Sequence, residues 1–470
     1  MSYARPLPAL WRPLILLAAC GLLASCAVGP NYKRPALTVP GAFKDAPPAA
    51  AAPAPPLPSD WWTLFKDPVL DRLVNEALSA NLSIQAAMAR LDEAHEATRS
   101  AAGSFFPSLS VGASMRRSGS AAPPTTLYSV PLQLSYELDV WGRLRREYES
   151  AKHTEEATAD DYVFVRQTEA AAVAQAYFTL RLYDREVGFF NEALGLYRQQ
   201  LDLTNTKFKS GLGLPTDLLQ AKTQVNTATN QLIDVRRARA KQEHALALLL
   251  GRPPSEFSLD SAPLDLAIPD VPAGLPVNLL NRRPDVAETE HQLAAANALI
   301  GVATADFFPS FSLTGSAGFQ SSSADNLFEW EKRTWSVAPG LTLPLFEGGQ
   351  LTAARARAKA RYRELVADYR SAVLVAFRDV EDALSDLGFL AEKAKSLDAT
   401  LESAREYSRL TELQYRQGLT TYLQVIDANQ TLLSNELSAA QTQLDRLDTS
   451  VLLMKALGGG WAGDTALEGK

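Results

Sequence analysis

Apolar side chains occupy every second position of the stretch Val130-Pro131-Leu132-Gln133-Leu134-Ser135-Tyr136-Glu137-Leu138-Asp139-Val140. Because successive side chains of a β-strand point to opposite faces, this alternation predicts a strand with one apolar and one polar face. Three further stretches alternate in the same way, and they begin at Leu109, Phe311 and Trp335. The sequence therefore predicts two strands near 107–141 and two near 309–346.

Each predicted strand is at least about nine residues long, which is enough to cross a lipid bilayer at a tilt. Small Ser, Thr and Gly residues occur along the polar faces, and they suit a water-filled channel. A half-buried sheet in a water-soluble protein is an equally good interpretation of the strands alone. Because about eight strands are the minimum for a closed barrel, four strands per chain would have to be shared among subunits to form one.

Two motifs occur twice along the chain, in the same order. Phe105-Phe106-Pro107-Ser108 recurs as Phe307-Phe308-Pro309-Ser310, and Phe208-Lys209-Ser210-Gly211-Leu212 recurs as Tyr415-Arg416-Gln417-Gly418-Leu419. The copies are too long to be solenoid units, so this pattern predicts a duplicated domain. The predicted repeats span 61–275 and 276–457.

The rest of each repeat has the periodicity of coiled-coil helices. Apolar residues recur at alternating spacings of three and four positions in Leu180, Tyr183, Val187, Phe190, Leu194, Tyr197 and Leu201. The predicted long helices span 143–210, 215–250, 349–417 and 420–457. A helix over 143–210 would be about 100 Å long, a length that bridges a gap such as the periplasm and exceeds what a globular core needs.

Shorter segments complete each repeat. One helix is expected over 67–101, and a second opens at Arg282-Arg283-Pro284-Asp285, with proline and an acid in its first turn. Gly211 and Gly418 fit C-terminal caps of the long helices. The glycine run at 458–460 predicts a flexible tail over 458–470.

The N-terminus has the layout of a secretory signal peptide over 1–25, with an apolar run behind Arg5 and Arg12. Leu23-Ala24-Ser25-Cys26 resembles a bacterial lipobox, which predicts acylation of Cys26. Leu17-Ala18-Ala19-Cys20 also fits the pattern, but Cys26 leaves a fuller apolar stretch ahead of it. Residues 26–60 read as an acylated N-terminus followed by an extended Pro/Ala-rich linker, with order beginning near Trp61.

Composition narrows the possible functions. The net charge of −7 is opposite in sign to the basic surface that nucleic-acid binding requires. Mean hydropathy is −0.10, and the one long apolar run is too short for a bilayer-spanning helix. Both cysteines lie in the leader, so the body has no disulfide or thiolate metal site. Without a recognisable metal, phosphate-binding or nucleophile motif, we expect no enzyme activity, cofactor or metal site.

The chain resembles the outer membrane factor family, the TolC-like exit ducts, and specifically its lipoprotein branch of OprM-like (NodT-type) channels. The matching residues are Cys26, Gly29-Pro30-Asn31-Tyr32-Lys33-Arg34-Pro35, Trp61-Trp62, Asp67, Asn81, Ala87, Arg283-Pro284-Asp285 and the two paired motifs. The resemblance implies an α plus transmembrane β fold in which a homotrimer builds one 12-stranded β-barrel, four strands per chain. A long coiled-coil α-barrel would continue it into the periplasm.

The same resemblance implies a passive duct that is anchored in outer-membrane lipid. It would dock on a periplasmic adaptor (a membrane fusion protein) and an inner-membrane RND pump, and expel drugs or other small toxic molecules. Four residues at the turns of the helical hairpins, Gly211, Leu212, Gly418 and Leu419, match the adaptor contact.

Four further residues match the periplasmic gate. Leu423 and Asp427 stand where OprM-like channels narrow, and a ring of three acids there would select cations. Tyr415 and Asp217 match a hydrogen-bonded pair that holds TolC-like ducts closed. Thr420 and Gln424 depart from the TolC pattern, so its latch does not transfer as a whole.

Three alternatives remain open on the sequence. The chain could serve type I protein secretion or metal-ion efflux, although the lipidation signal favours a pump channel and four methionines weakly disfavour a copper path. It could also be a periplasmic coiled-coil scaffold lipoprotein that forms no pore.

Overall fold

A computed structural model of the chain describes residues 27–37, 39–44, 57–119, 123–271, 279 and 281–461. The expected signal peptide, the acylation site Cys26 and the end of the expected tail, 462–470, lie outside the described residues. The chain divides into two compact units. The strand unit comprises Met1–Leu37, Arg90–Ala159 and Glu288–Ser371, and the hairpin unit comprises Thr38–Ala89, Asp160–Ala287 and Ala372–Lys470.

Within the described residues, seven α-helices carry most of the chain. They are α1 (Pro68–Ala80), α2 (Leu82–Gly103), α3 (Arg143–Lys209), α4 (Pro215–Leu249), α5 (Pro284–Ala305), α6 (Gln350–Arg416) and α7 (Tyr422–Ala456). Helices α3 and α6 have 67 residues each, and α4 and α7 have 35 each. The long helices therefore lie within one or two residues of the expected bounds. Among the described helices, none combines the length and the apolar character needed to cross a membrane.

The single helix expected over 67–101 is wrong, because it is interrupted at Asn81. The Asn81 side chain is buried and accepts hydrogen bonds from the backbone N–H groups of Ser83 and Ile84, at 2.8 and 3.2 Å. Its amide donates to Glu169 and to the Leu249 carbonyl. Asn81 thus caps the start of α2 and fastens the break to α3 and α4.

The strand unit contains one antiparallel sheet of β1 (Ser108–Val111), β2 (Ser114–Ser118), β3 (Thr125–Leu138), β4 (Ser310–Ser321) and β5 (Arg333–Thr342). The first of the four expected strands is split into β1 and β2, which keep one continuous register against β3. The gap at Gly112 lies opposite Pro131, which has no N–H to donate. Gly112 still donates to the Pro131 carbonyl at 3.0 Å, so the strand is interrupted without changing face.

The register places most of the apolar side chains of the strands on one face, and Leu127 lies on the other, opposite Arg116. Two neighbouring rows across the strands show the apolar face. One row consists of Leu109, Leu134, Gly315 and Val337, and the next consists of Val111, Leu132, Ala317 and Trp335. The other face carries small polar rows, such as Ser110, Gln133, Ser316 and Ser336. The sheet therefore has an apolar face and a polar face, and its edges are β1/β2 and β5.

The strands continue into α3 through a charged junction. Asp139 accepts hydrogen bonds from the backbone N–H groups of Leu144 and Arg145, at 3.1 and 3.0 Å. Arg143 pairs with Glu137 at 2.9 Å. The carboxylate of Asp139 satisfies free N–H groups at the start of the helix, so the chain passes from strand to helix within a few residues.

The expected linker over 26–60 is only partly a linker. The Val28 N–H donates to the Trp141 carbonyl at 2.9 Å, and Asn297 donates to the Pro30 carbonyl at 2.9 Å. Arg34 forms an ion pair with Glu290 at 2.5 Å. The expectation that order begins near Trp61 is therefore wrong for residues 28–34, because this segment finds partners far along the chain.

The hairpin unit holds the main apolar core. Trp61, Phe65, Leu70, Phe178 and Leu180 are fully buried there. Asp67 caps the start of α1, where its side chain accepts hydrogen bonds from the backbone N–H groups of Val69 and Leu70. It also accepts a hydrogen bond from the Tyr177 hydroxyl at 2.5 Å. Burial raises the pKa of Tyr177 to about 12. The core thus joins the N-terminal helix α1 to the middle of α3.

The glycine run at 458–460 is ordered, which corrects the expected flexible tail for this part. All three glycines have positive φ, and Gly458 and Gly459 are buried. The Gly459 N–H donates to the Met454 carbonyl and the Gly458 N–H to the Lys455 carbonyl, both at 2.9 Å. This pattern is a Schellman cap that ends α7.

A buried ion network pins the chain that follows α4. Asp184 is 1% exposed and pairs with Arg181 at 2.8 Å and with Arg239 at 2.6 Å. The backbone N–H of Ala262 donates to the same carboxylate at 3.2 Å. One acid therefore joins α3, α4 and the segment around 262.

We expect Asp184→Ala to lower the free energy of unfolding by about 3 kcal/mol or more, because it leaves two arginines buried without their acid. Urea unfolding of the detergent-solubilised protein, followed by circular dichroism, measures this. Asp234→Ala is the control, since it removes the exposed partner of Arg237 and should cost less than about 0.5 kcal/mol. Equal losses of unfolding free energy in the two variants would contradict the conclusion that Asp184 holds a buried ion network together.

Candidate functional site

The two turns that join the long helices have the same geometry. Gly211 and Gly418 have φ values of 76° and 78°. The Leu212 N–H donates to the Lys207 carbonyl, and the Leu419 N–H donates to the Gln414 carbonyl, both at 2.9 Å. These are Schellman caps, in which glycine adopts the left-handed conformation without steric cost. The expected caps at Gly211 and Gly418 are confirmed.

The expected adaptor-contact residues lie at these turns and face outward. Leu212 is 83% exposed and Leu419 is 73% exposed. A Cβ built on Gly211 or Gly418 would meet no atom within 4 Å. The turns therefore present apolar side chains on open surface, and their contact with an adaptor stays a prediction.

An aromatic cluster lies directly behind the second turn. Tyr415 and Tyr422 are 6% and 1% exposed, and their rings lie 5.4 Å apart. Ala221 and Val425 complete the cluster. Burial raises the pKa of the Tyr422 hydroxyl, and the nearby charges of Tyr415, Tyr197 and Asp217 add to this effect. The cluster joins the start of α4 to both helices of the second hairpin.

Lys207 joins the ends of the two 67-residue helices. Its Nζ atom donates to the Tyr415 carbonyl at 3.1 Å and lies 4.0 Å from the centre of the Tyr415 ring. A lysine near a helix C-terminus also interacts favourably with the helix dipole. Sequence reasoning missed Lys207. One feature of the sequence could have indicated it. Lys207 lies in the last turn of α3, and the matching residue of the second repeat is the uncharged Gln414.

The predicted pairing of Tyr415 with Asp217 stays a prediction, and the single chain gives the Tyr415 hydroxyl another neighbour. The Tyr415 hydroxyl lies 3.4 Å from Thr204 Oγ1, and no hydrogen bond joins it to Asp217 in the part of the chain that the structure describes. Asp217 lies in the first turn of α4, where its backbone N–H donates to the Leu214 carbonyl. Its carboxylate therefore suits the positive end of the α4 dipole.

Leu423 and Asp427 lie one turn apart on an outward-facing stripe of α7. Leu423 is 62% exposed, and Asp427 is also exposed. Asp427 accepts a hydrogen bond from the Tyr407 hydroxyl at 3.3 Å. On the opposite side of α7, the buried Asn429 accepts from Ser408 at 2.7 Å. Helix α7 is thus fixed to α6 while Leu423 stays accessible.

The described residues hold no cluster of three or more His, Cys, Asp or Glu side chains suited to a metal ion.

Comparison with known proteins identifies relatives of this chain. The family model described as outer membrane efflux protein matches residues 73–252 and 275–459. The solvent efflux pump outer membrane protein SrpC of Pseudomonas putida is 35% identical over 412 residues, covering 85% of this chain and 87% of that protein. The antibiotic efflux pump outer membrane protein ArpC of the same species is 32% identical over 470 residues, covering 95% of both chains.

A solved structure agrees with these relatives. The outer-membrane channel OprN superimposes with a TM-score of 0.85 at 31% identity, covering 93% of this chain and 100% of that one. The fold of this chain is therefore shared with an outer-membrane channel.

We expect Gly418→Ala to lower the free energy of unfolding by about 1–2 kcal/mol, because alanine is strained at positive φ and no neighbouring atom would add a clash. Thermal unfolding followed by circular dichroism measures the change. Gly388→Ala is a matched control in the middle of α6, where a Cβ also meets no atom. It should stabilise the protein by about 0.5–1 kcal/mol. Destabilisation by both changes would argue against the left-handed cap.

Proposed function

Because the chain belongs to the outer membrane efflux protein family, we propose that three copies of it form the passive exit duct of a tripartite efflux pump. The chain is the outer-membrane component of such a pump. The duct docks on a periplasmic adaptor and receives molecules from an inner-membrane RND pump. Since SrpC and ArpC are named for solvent and antibiotic efflux, the cargo we propose is small toxic organic molecules.

The observation that carries this proposal is the two-faced sheet with its two edges. Along β1 and β5, Leu109, Val111, Trp335, Val337 and Leu341 are each more than 60% exposed. Such apolar surface is stable only against lipid or another protein. Backbone N–H and C=O groups cannot remain unpaired in lipid. Joining β5 of one chain to β1/β2 of the next supports a closed barrel of 12 strands with a polar lumen.

The helices support a periplasmic tunnel. A helix of 67 residues is about 100 Å long, and α3 and α6 both have that length. Each is followed by a 35-residue helix after a turn with the same cap. Equal lengths and equal caps support an internal duplication, so three chains would supply six long helical hairpins.

We assign the narrow end of the tunnel to the helical turns. Leu423 and Asp427 would form rings of three in the trimer, and the acids would favour cations. Gly211, Leu212, Gly418 and Leu419 would meet the adaptor. Within one chain, the contact of Lys207 with Tyr415 joins the two hairpins, and Tyr415 with Asp217 remains the second proposed latch pair.

The N-terminal segment supports lipidation at Cys26. A Cβ built on Gly142 would lie 2.8 Å from the Cα of Ala27, and Val28 donates to the Trp141 carbonyl. Trp141 and Gly142 lie in the short connection between β3 and α3. The residue after Cys26 is thus held at the end of a membrane strand, where an acyl chain would enter the adjacent lipid.

We expect the purified trimer to form a pore in a planar lipid bilayer, and Lys207→Met to raise its conductance several-fold. The lysine contributes a charged hydrogen bond and a cation–π contact, together about 2 kcal/mol, so its loss should favour separated hairpins by roughly 30-fold. Lys209→Met is the control, because Lys209 is an exposed lysine on the same helix turn.

Two results would contradict these assignments. Absence of any trimeric pore would argue against the duct itself. A pore whose conductance changes equally in the Lys207 and Lys209 variants would leave the duct intact and remove Lys207 from the gate.

We expect Cys26→Ala to abolish incorporation of radiolabelled palmitate, because the thiol is the site of acyl transfer. Cys20→Ala is the matched control and should leave labelling unchanged. Labelling lost only in the Cys20 variant would move the acylation site to Cys20 and shorten the signal peptide accordingly.

A further inference from the structure

A cavity of about 230 Å³ lies in the hairpin unit, apart from the helical turns and the strands. Its wall comes mainly from three separate segments: the turn at Trp61 and Trp62, one face of α3 around Arg166, and the segment 459–461 that follows α7. We call it the indole cavity. The proposed duct gives no role to this site.

The wall of the indole cavity is rigid and aromatic. Trp61 and Trp62 are 1% and 6% exposed, and their rings meet edge to face at a centroid distance of 5.8 Å and an angle of 78°. Trp461 adds a third indole. Because Trp61 and Trp62 are almost fully covered, the half-buried Leu78, Val163 and Trp461 supply most of the accessible apolar wall, and this lining suits a flat ring.

Two side chains of the indole cavity, Arg166 and Trp62, can only donate hydrogen bonds. The Arg166 guanidinium donates to the Tyr162 hydroxyl at 3.1 Å and has no carboxylate partner in the described part of the chain. Since a guanidinium has five N–H groups, most of its donors remain available. The buried Nε1 of Trp62 has no acceptor among the described residues. The Gln167 amide is already used, because it donates to the Gly458 carbonyl at 2.6 Å.

Glycine is required at two positions of the segment 459–461, which forms one wall of the indole cavity. Gly459 and Gly460 have φ values of 53° and 81°. A Cβ on Gly459 would lie 3.0 Å from the Gln167 side chain, and one on Gly460 would lie 2.7 Å from Ser59 Cα. The glycine run thus places Trp461 in the lining of the same cavity as Trp61 and Trp62.

We propose that the indole cavity binds a small aromatic carboxylate. The ring packs against Leu78, Val163 and Trp461, with Trp61 and Trp62 behind them, and the carboxylate accepts hydrogen bonds from Arg166. An unpaired cation beside aromatic walls favours an anion with an apolar body over a neutral or cationic ligand. A cavity of this volume accommodates a single-ring acid such as benzoate.

The test is isothermal titration calorimetry of the full trimer in lipid nanodiscs, with benzoate as the probe and benzamide as its neutral counterpart. We expect saturable binding of one benzoate per chain, and at least tenfold weaker binding of benzamide. Arg166→Gln should weaken benzoate binding at least tenfold, and Arg166→Lys should weaken it less, because it keeps the charge. Trp62→Phe keeps a ring but loses the N–H group, and should weaken binding a few-fold.

Two matched controls separate the site from general effects. Arg237→Gln removes an exposed arginine elsewhere in the hairpin unit, and Trp330→Phe removes an exposed indole from the strand unit; both should bind benzoate as the unaltered protein does. The proposal is overturned by absence of saturable binding, by equal binding of benzamide, or by unchanged affinity in Arg166→Gln. Elution as a trimer shows for each variant that the fold is intact, and Arg166→Lys serves if the glutamine variant does not fold.

Discussion

A strand that meets lipid must pair every backbone N–H and C=O group, because the hydrocarbon offers no water to replace a missing partner. In this chain β3 and β4 are paired on both sides, whereas β1/β2 and β5 each have one side without a strand. A stable arrangement in lipid therefore requires hydrogen-bonding partners for the backbone groups along these two edges. In the proposed trimer, the membrane part would belong to the assembly, and each chain would supply only a segment of it.

The same condition explains how Pro131 is accommodated. Proline lacks the N–H that a central strand normally donates, yet Pro131 lies in β3, between β1/β2 and β4. Its missing bond falls on the side of Gly112, where the edge strand is already interrupted. On the other side it lies opposite Gly318, whose missing side chain leaves room for close approach. The apolar face therefore continues past the proline unchanged.

The local elements could be predicted because their signals are local. Alternation along Val130–Val140 is visible within a dozen residues, and so are the three-and-four spacing of α3 and the glycine that ends it. Asn81 was missed as a break because its amide is bound by Glu169 and Leu249, far along the chain. The order of residues 28–34 was missed for the same reason, since a Pro-rich segment becomes ordered only through distant partners.

By itself, the sequence determined the strands and their two faces, the long helices and the left-handed glycines between them. These depend on backbone preferences and on side-chain periods that act over a few residues. Only the tertiary structure decided which side chains come together: Tyr415 contacts Lys207 and Thr204, and Trp461 lines the same cavity as Trp61 and Trp62. The physical reason is geometric. A small rotation of a helix about its axis leaves its period unchanged but moves a side chain from one partner to another.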